Sequence, residues 1–141
     1  VVSVVARQAP LRAALVDAQR IIGRAHPRLV TEGRDQGSVV FPDAAVRFYL
    51  DAHPEVRARR RVEQMRSQCR PADYEAVLRA IQQRDHLDET RVDGPLVCPK
   101  GAQRIDTSGL TLDQVVQELE RCVRTCVSAE LLAPPRAVQT A

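Results

Sequence analysis

Short strand-like runs alternating with helical stripes set the strongest limit on how this chain can fold. Arg28–Thr31, Val46–Leu50 and Gln103–Thr107 read as strands, the second apolar and aromatic except for Arg47 and therefore largely buried. Between them the spacing predicts helices. Pro10 suits a first helical turn, Leu11, Leu15, Ala18 and Ile22 recur at one-face spacing, and Gly23 is the expected end. His53-Pro54-Glu55 opens a second helix, and a third carries Tyr74, Val77, Leu78 and Ile81 on one face. Thr111 with Gln114 forms a capping box for a last helix striped by Val115, Val116, Leu119, Cys122, Val123 and Cys126. The expectation is an α/β fold with a parallel sheet flanked by helices. Ligands in such folds sit at the carboxyl ends of strands, where the polar turn Glu32–Gly37 falls.

With 141 residues the chain has the length of one domain. Its aromatics are Phe41, Phe48, Tyr49 and Tyr74, with no Trp, so aliphatic side chains must fill the core. A net charge of +3 is too mild for nucleic-acid or membrane binding by bulk attraction. Lys100 is the one lysine, and the remaining basic residues are arginines, whose planar fork grips phosphates and carboxylates. Cys69, Cys98, Cys122 and Cys126 show neither a CxxC pair nor metal-ligand spacing with a His, so a reducing, cytoplasmic setting and no metal site of their own are expected. No stretch is long and apolar enough for a membrane span, and the start lacks the pattern of a signal peptide. The first residue is Val, not Met, and an upstream segment is expected.

Three polar clusters could carry chemistry. Arg84, Asp88 and Arg91 continue the Ile81 face beyond its apolar stripe, so they form either a solvated salt bridge or a cleft wall. Arg57, Arg60 and Arg61 share a helical face, which reads as a solvated surface, a nucleic-acid patch lacking interleaved aromatics, or a phosphate clamp. Gly33-Arg34-Asp35 is either ordinary turn chemistry or an anion site. His26, His53 and His86 have no metal spacing and no nucleophile partner, and read as surface or helix-end residues.

Taken in order, these segments resemble the bacterial cytidylate kinase family. The carrying stretch is Thr31-Glu32-Gly33-Arg34-Asp35-Gln36-Gly37-Ser38-Val39-Val40-Phe41-Pro42-Asp43-Ala44, similar to that family's EGRDxGTVVFPDA signature. The likeness continues through Phe48-Tyr49-Leu50-Asp51-Ala52, Arg57-Ala58-Arg59-Arg60-Arg61, Arg84-Asp85 to Arg91, and Ile105-Asp106-Thr107-Ser108-Gly109-Leu110. The resemblance implies a P-loop nucleoside monophosphate kinase fold, present here in part, that passes the terminal phosphoryl group of ATP to CMP or dCMP. It assigns Ser3, Arg12 and Asp35 to the cytosine ring, Arg34 to the acceptor phosphate, Arg84 and Asp88 to the ribose hydroxyls, and Arg91 to the nucleotide. Arg57, Arg60 and Arg61 would lie in a lid-like helical segment at about 54–92, closing over the transferring phosphates with Arg34.

The likeness has gaps. Among six glycines no GxxxxGK[ST] occurs, so the loop that cradles donor phosphates, and the hydroxyl that holds the Mg²⁺ the family implies, are not in this sequence. His53, Gln36 and Ser38 depart from the family's Ser, aliphatic and Thr. Residues 1–133 are then the carboxyl-terminal part of one kinase core and 134–141 a frayed tail. The chain by itself is expected to lack activity, and the completed protein to be a monomer binding CMP or dCMP and ATP. The other reading is a nucleotide-binding or interaction module without catalysis.

Overall fold

A computed structural model describes residues 8–26, 28–90 and 95–127. Helix α1 spans Ala9–Ala25 with Pro at its start, a five-residue π-helical turn covers Gln36–Val40, and strand β1 covers Phe48–Asp51. Helices α2 (Pro54–Ser67) and α3 (Tyr74–Thr90) follow, then β2 (Gln103–Asp106) and α4 (Leu112–Cys126). The chain divides into two compact units, residues 1–109 and 110–141.

In the first unit β1 and β2 run parallel, in register from Phe48 opposite Gln103 to Asp51 opposite Asp106. The ladder extends at one end through Gln103 N–H to Arg47 C=O, 2.8 Å, and at the other through Thr107 N–H to Asp51 C=O, 2.8 Å. A parallel pair needs a long crossover, and the α2–α3 hairpin lies in it. Pro54 occupies the first turn of α2, where a missing N–H costs nothing, and Glu55 sits at the positive end of its dipole. Ala58 and Val62, one turn apart, are the buried residues of α2, and α2 packs on α3, whose Tyr74, Val77, Leu78 and Ile81 are half-buried. Val40, Ala52 and the polar Thr107 complete the buried set of this unit.

Four sequence expectations are corrected. Arg28–Thr31 is not a strand: residues 28–33 are irregular and exposed, and Val30 is 97% exposed. Four residues without a partner ladder cannot satisfy a strand's backbone groups, so the sheet of the described residues has two strands and not three. Gly23 does not end α1, which runs on to Ala25. Its lack of a side chain serves packing instead, because a Cβ there would lie 2.5 Å from Phe41 Cε1. β1 is half-buried, with Leu50 at 52% exposure, and the stripe of α1 is open, with Leu15 and Ile22 about half exposed.

The second unit carries α4, capped as expected: Thr111 Oγ1 accepts from Gln114 N–H and Gln114 Oε1 from Thr111 N–H. Cys122 is buried, whereas Leu112, Val116 and Cys126 are exposed. No helix of the described residues is long and apolar enough to cross a membrane. Positions 1–7, 27, 91–94 and 128–141 lie outside the described residues, and with them Ser3, Arg91 and the expected tail.

Candidate functional site

The polar turn after α1 is fixed from two sides. On one side, Arg12 Nη2 donates to Asp35 Oδ2 at 2.8 Å, both side chains being largely sheltered. About two turns further along α1, Arg20 donates to the carbonyls of Val39 (2.8 Å) and Val40 (3.1 Å), capping the end of the π-turn. That turn is nucleated at Asp35, whose carbonyl accepts from Val39 and Val40 N–H, while Phe41 N–H closes a bond to Gln36 C=O at 2.7 Å. The wide turn keeps Arg34 and Asp35 at its mouth, a placement π-turns often serve at functional sites.

On the other side Arg34 reaches α3. Its Nη1 lies 2.6 Å from Asp88 Oδ2 and 3.8 Å from Asp85 Oδ1. Asp85 and Asp88 are three apart and so share a face of α3, and both carboxylates are only 18% exposed. Asp85 also receives Arg57 of α2 in a two-pronged pair, Nη1 to Oδ1 at 3.0 Å and Nη2 to Oδ2 at 2.6 Å, and Arg57 Nε donates to Ala52 C=O at 2.9 Å. The hydrogen bond that Arg57 donates to Asp85 raises the Arg57 pKa above its ordinary value, against a smaller opposing effect of burial. Arg84 Nε stands 3.7 Å from Asp88 Oδ2 with its side chain 72% exposed. Three guanidiniums and two carboxylates therefore meet on one wall, leaving an excess of one positive charge.

Of the residues the sequence singles out, Arg34, Arg57, Arg84 and Asp88 come together, and Arg12 pairs with Asp35 beside them. The three arginines of α2 take different partners, Arg57 on Asp85. Arg60 donates to Thr107 Oγ1 (3.2 Å) and C=O (2.6 Å), whereas Arg61 turns to Gln64 Oε1 of its own helix at 2.6 Å. Thr107 is held in turn by its hydroxyl donating to Asp51 C=O at 2.9 Å.

Beside this wall, at the carboxyl end of β1, lies an open hollow of about 470 Å³. Its lining includes Asp51, His53, Arg57, Asp85, His86 and Arg104. Arg104 pairs with Asp51 and stands over the Tyr49 ring, 6.0 Å from its centroid. His53 is exposed and leads into α2, its N–H donating to Ser108 Oγ at 2.9 Å, which agrees with a helix-end histidine.

Asp85, Arg20 and Thr107 were not legible as site residues. Asp85 shares a helix face with Asp88, but its partner Arg57 is 28 residues away and no local pattern announces it. No three of His, Cys, Asp and Glu among the described residues come together as metal ligands, and Asp85 and Asp88 face arginines. With both carboxylates engaged by guanidiniums, the described residues do not fit Mg²⁺.

The sequence profile of a family described as cytidylate kinase matches residues 1–125. The chain is 48% identical over 119 residues to the cytidylate kinase of Corynebacterium efficiens, covering 84% of this chain and 51% of that protein. It is 42% identical over 125 residues to the cytidylate kinase of Paraburkholderia phymatum, covering 89% and 54%. To that of Caldanaerobacter subterraneus subsp. tengcongensis it is 42% identical over 130 residues, covering 92% and 58%. The chain thus spans about half the length of the curated relatives it matches.

Proposed function

The chain belongs to the cytidylate kinase family, and on that premise we propose that it carries the acceptor-nucleotide side of a P-loop nucleoside monophosphate kinase. The reaction is ATP + CMP or dCMP giving ADP + CDP or dCDP. An acceptor phosphate oxygen attacks the terminal phosphorus of ATP while the bond to the bridging oxygen of ADP breaks. Such transfer needs positioning and positive charge more than covalent help.

The observation that carries this reading is the meeting of Arg34 and Asp88 at 2.6 Å. A nucleoside monophosphate presents an anion and sugar hydroxyls, two on ribose and one on deoxyribose, and this wall offers a cation and a carboxylate side by side. Arg34 binds the acceptor phosphate, and Asp88 with Arg84 accepts and donates to the ribose hydroxyls. Phosphate competes with Asp88 for Arg34, so its binding releases the carboxylate for the sugar. The Arg12–Asp35 pair faces the base: an ionised carboxylate attracts the exocyclic amino group of cytosine and repels the carbonyl of uracil. Arg57, Arg60 and Arg61 of the α2–α3 segment act as the lid cations, and Ser3 and Arg91 complete the nucleotide contacts. Without a donor-phosphate loop in these 141 residues, the chain by itself binds nucleotide and does not turn it over.

Calorimetric titration with CMP and UMP tests this. A charged hydrogen bond is worth about 1.5–3 kcal/mol, so Asp35→Ala is expected to cut the preference for CMP over UMP by about ten- to a hundredfold. Equal affinity of the native chain for both nucleotides, or equal losses on substitution, would overturn the reading.

A further inference from the structure

We propose that Asp85 is a positioning residue that ties Arg57 of α2 to Arg34 of the polar turn, so that a change at one guanidinium is transmitted to the other. The proposal rests on the acceptor reading only for what Arg34 binds; the tie itself stands on geometry. Asp85 divides its two oxygens unequally. Oδ2 belongs to Arg57 at 2.6 Å, while Oδ1 is shared between Arg57 at 3.0 Å and Arg34 at 3.8 Å. The same Arg34 nitrogen is held more closely by Asp88, at 2.6 Å. An anion that draws Arg34 away from α3 therefore leaves Asp85 Oδ1 to Arg57 alone and tightens the fork.

The surroundings make this coupling specific to Asp85. Its side chain is 18% exposed, so the pair is partly withdrawn from solvent screening. Without the Asp85 charge, Arg57 loses its charged two-pronged partner and keeps the Nε bond to Ala52 C=O, which carries no charge. Arg34 would keep Asp88, which it shares with Arg84. The residue thus acts through two arginines from different segments, and nothing requires it to touch a nucleotide.

The test reads the arginine side chains by ¹⁵N NMR on the whole chain. In the native protein the Arg57 Nη protons are expected to be resolved because the fork slows guanidinium rotation. Asp85→Asn should speed that rotation by about tenfold, the effect of losing one charge-assisted bond, with Asp85→Glu restoring slow rotation. Arg34→Ala should shift the Arg57 signals in the native background and leave them unmoved in Asp85→Asn. If Asp85→Asn unfolds, as circular dichroism would show, Asp85→Ser carries the same comparison. Unchanged Arg57 rotation in Asp85→Asn, or an equal effect of Arg34→Ala in both backgrounds, would overturn the proposal. Added CMP gives the separate arm: it should move Arg34 and Arg57 together in the native chain and Arg34 alone in Asp85→Asn. Failure of CMP to move Arg34 in the native chain would overturn the acceptor reading, while the ligand-free comparison still judges Asp85.

Discussion

Arg57 and Asp85 meet fork to fork across 28 residues of chain, joining the first turn of α2 to the second half of α3. A bidentate pair has one good geometry, so it fixes the rotation of one helix against the other as apolar contacts alone do not. Arg57→Ala is expected to lower unfolding stability by about 1–2 kcal/mol, the lower part of the range for charged hydrogen bonds because the pair is partly exposed. Arg57→Lys keeps the charge without the fork and should lose about half as much. Urea unfolding measures both; a lysine variant as stable as the native chain would show that charge alone matters.

Gly23→Ala in the interior of α1 would ordinarily be favourable by about 1 kcal/mol. Here the new Cβ meets Phe41 Cε1 at 2.5 Å and Cζ at 3.0 Å, so the ring must move off the helix. Overpacking of this kind costs roughly 1–3 kcal/mol, and a net loss of about 1 kcal/mol is expected. The double variant Gly23→Ala with Phe41→Leu should recover part of it. A stabilised single variant would mean that the ring yields freely.

Cys69 holds φ at +54°, in the left-handed region that disfavours side chains. It follows the end of α2, where Arg70 N–H reaches back to Met65 C=O at 2.9 Å, the wrap-around bond of a glycine-type helix cap. Cys69→Gly is expected to raise stability by about 1 kcal/mol, after the extra chain entropy of glycine is counted. Cys69→Val should lower it. Thermal melts of the two variants in the same direction would contradict the cap.

The Asp106 carboxyl is held below its ordinary pKa, first by the Ser108 hydroxyl and then by the Ser108 N–H at 2.9 Å. A depressed carboxyl stabilises the fold above the unfolded pKa, and that contribution is lost as pH falls through the folded value. Ser108→Ala removes the larger cause and keeps the N–H. The Asp106 midpoint, followed by ¹³C NMR, should rise toward the ordinary value and remain below it, and the acid limb of stability should lose its Asp106 share. An unmoved midpoint would assign the depression to the backbone.

What could be read from residues alone follows the range over which each signal acts. Pro54 at the start of α2 and the Thr111–Gln114 box are local, and both stand where the pattern puts them. Gln103–Thr107 reads as a strand, and Gln103–Asp106 forms one whose burial alternates. Arg28–Thr31 had the same local character and no partner among the described residues, and strand formation depends on the partner. Gly23 looked like a stop because glycine usually is one; its reason, the Phe41 ring, lies beyond the π-turn. In the candidate site Arg34, Asp35 and Asp88 stood out through the family's motif, whereas Arg20 and Asp85 work through partners 19 to 28 residues away.

The parallel pairing of β1 and β2 also bears on how the chain finds its fold. Thr107 bonds to Asp51 across 56 residues, and closing a flexible loop of that length costs about 3–4 kcal/mol before any contact rewards it. The α2–α3 hairpin lies inside that loop and closes over a short span, with Ala58 and Val62 as its early reward. Once it has formed, the ends of β1 and β2 hang from a stiff double rod and have far less space to search. Substitutions in the hairpin should therefore slow folding, whereas substitutions along the strand pair should chiefly speed unfolding.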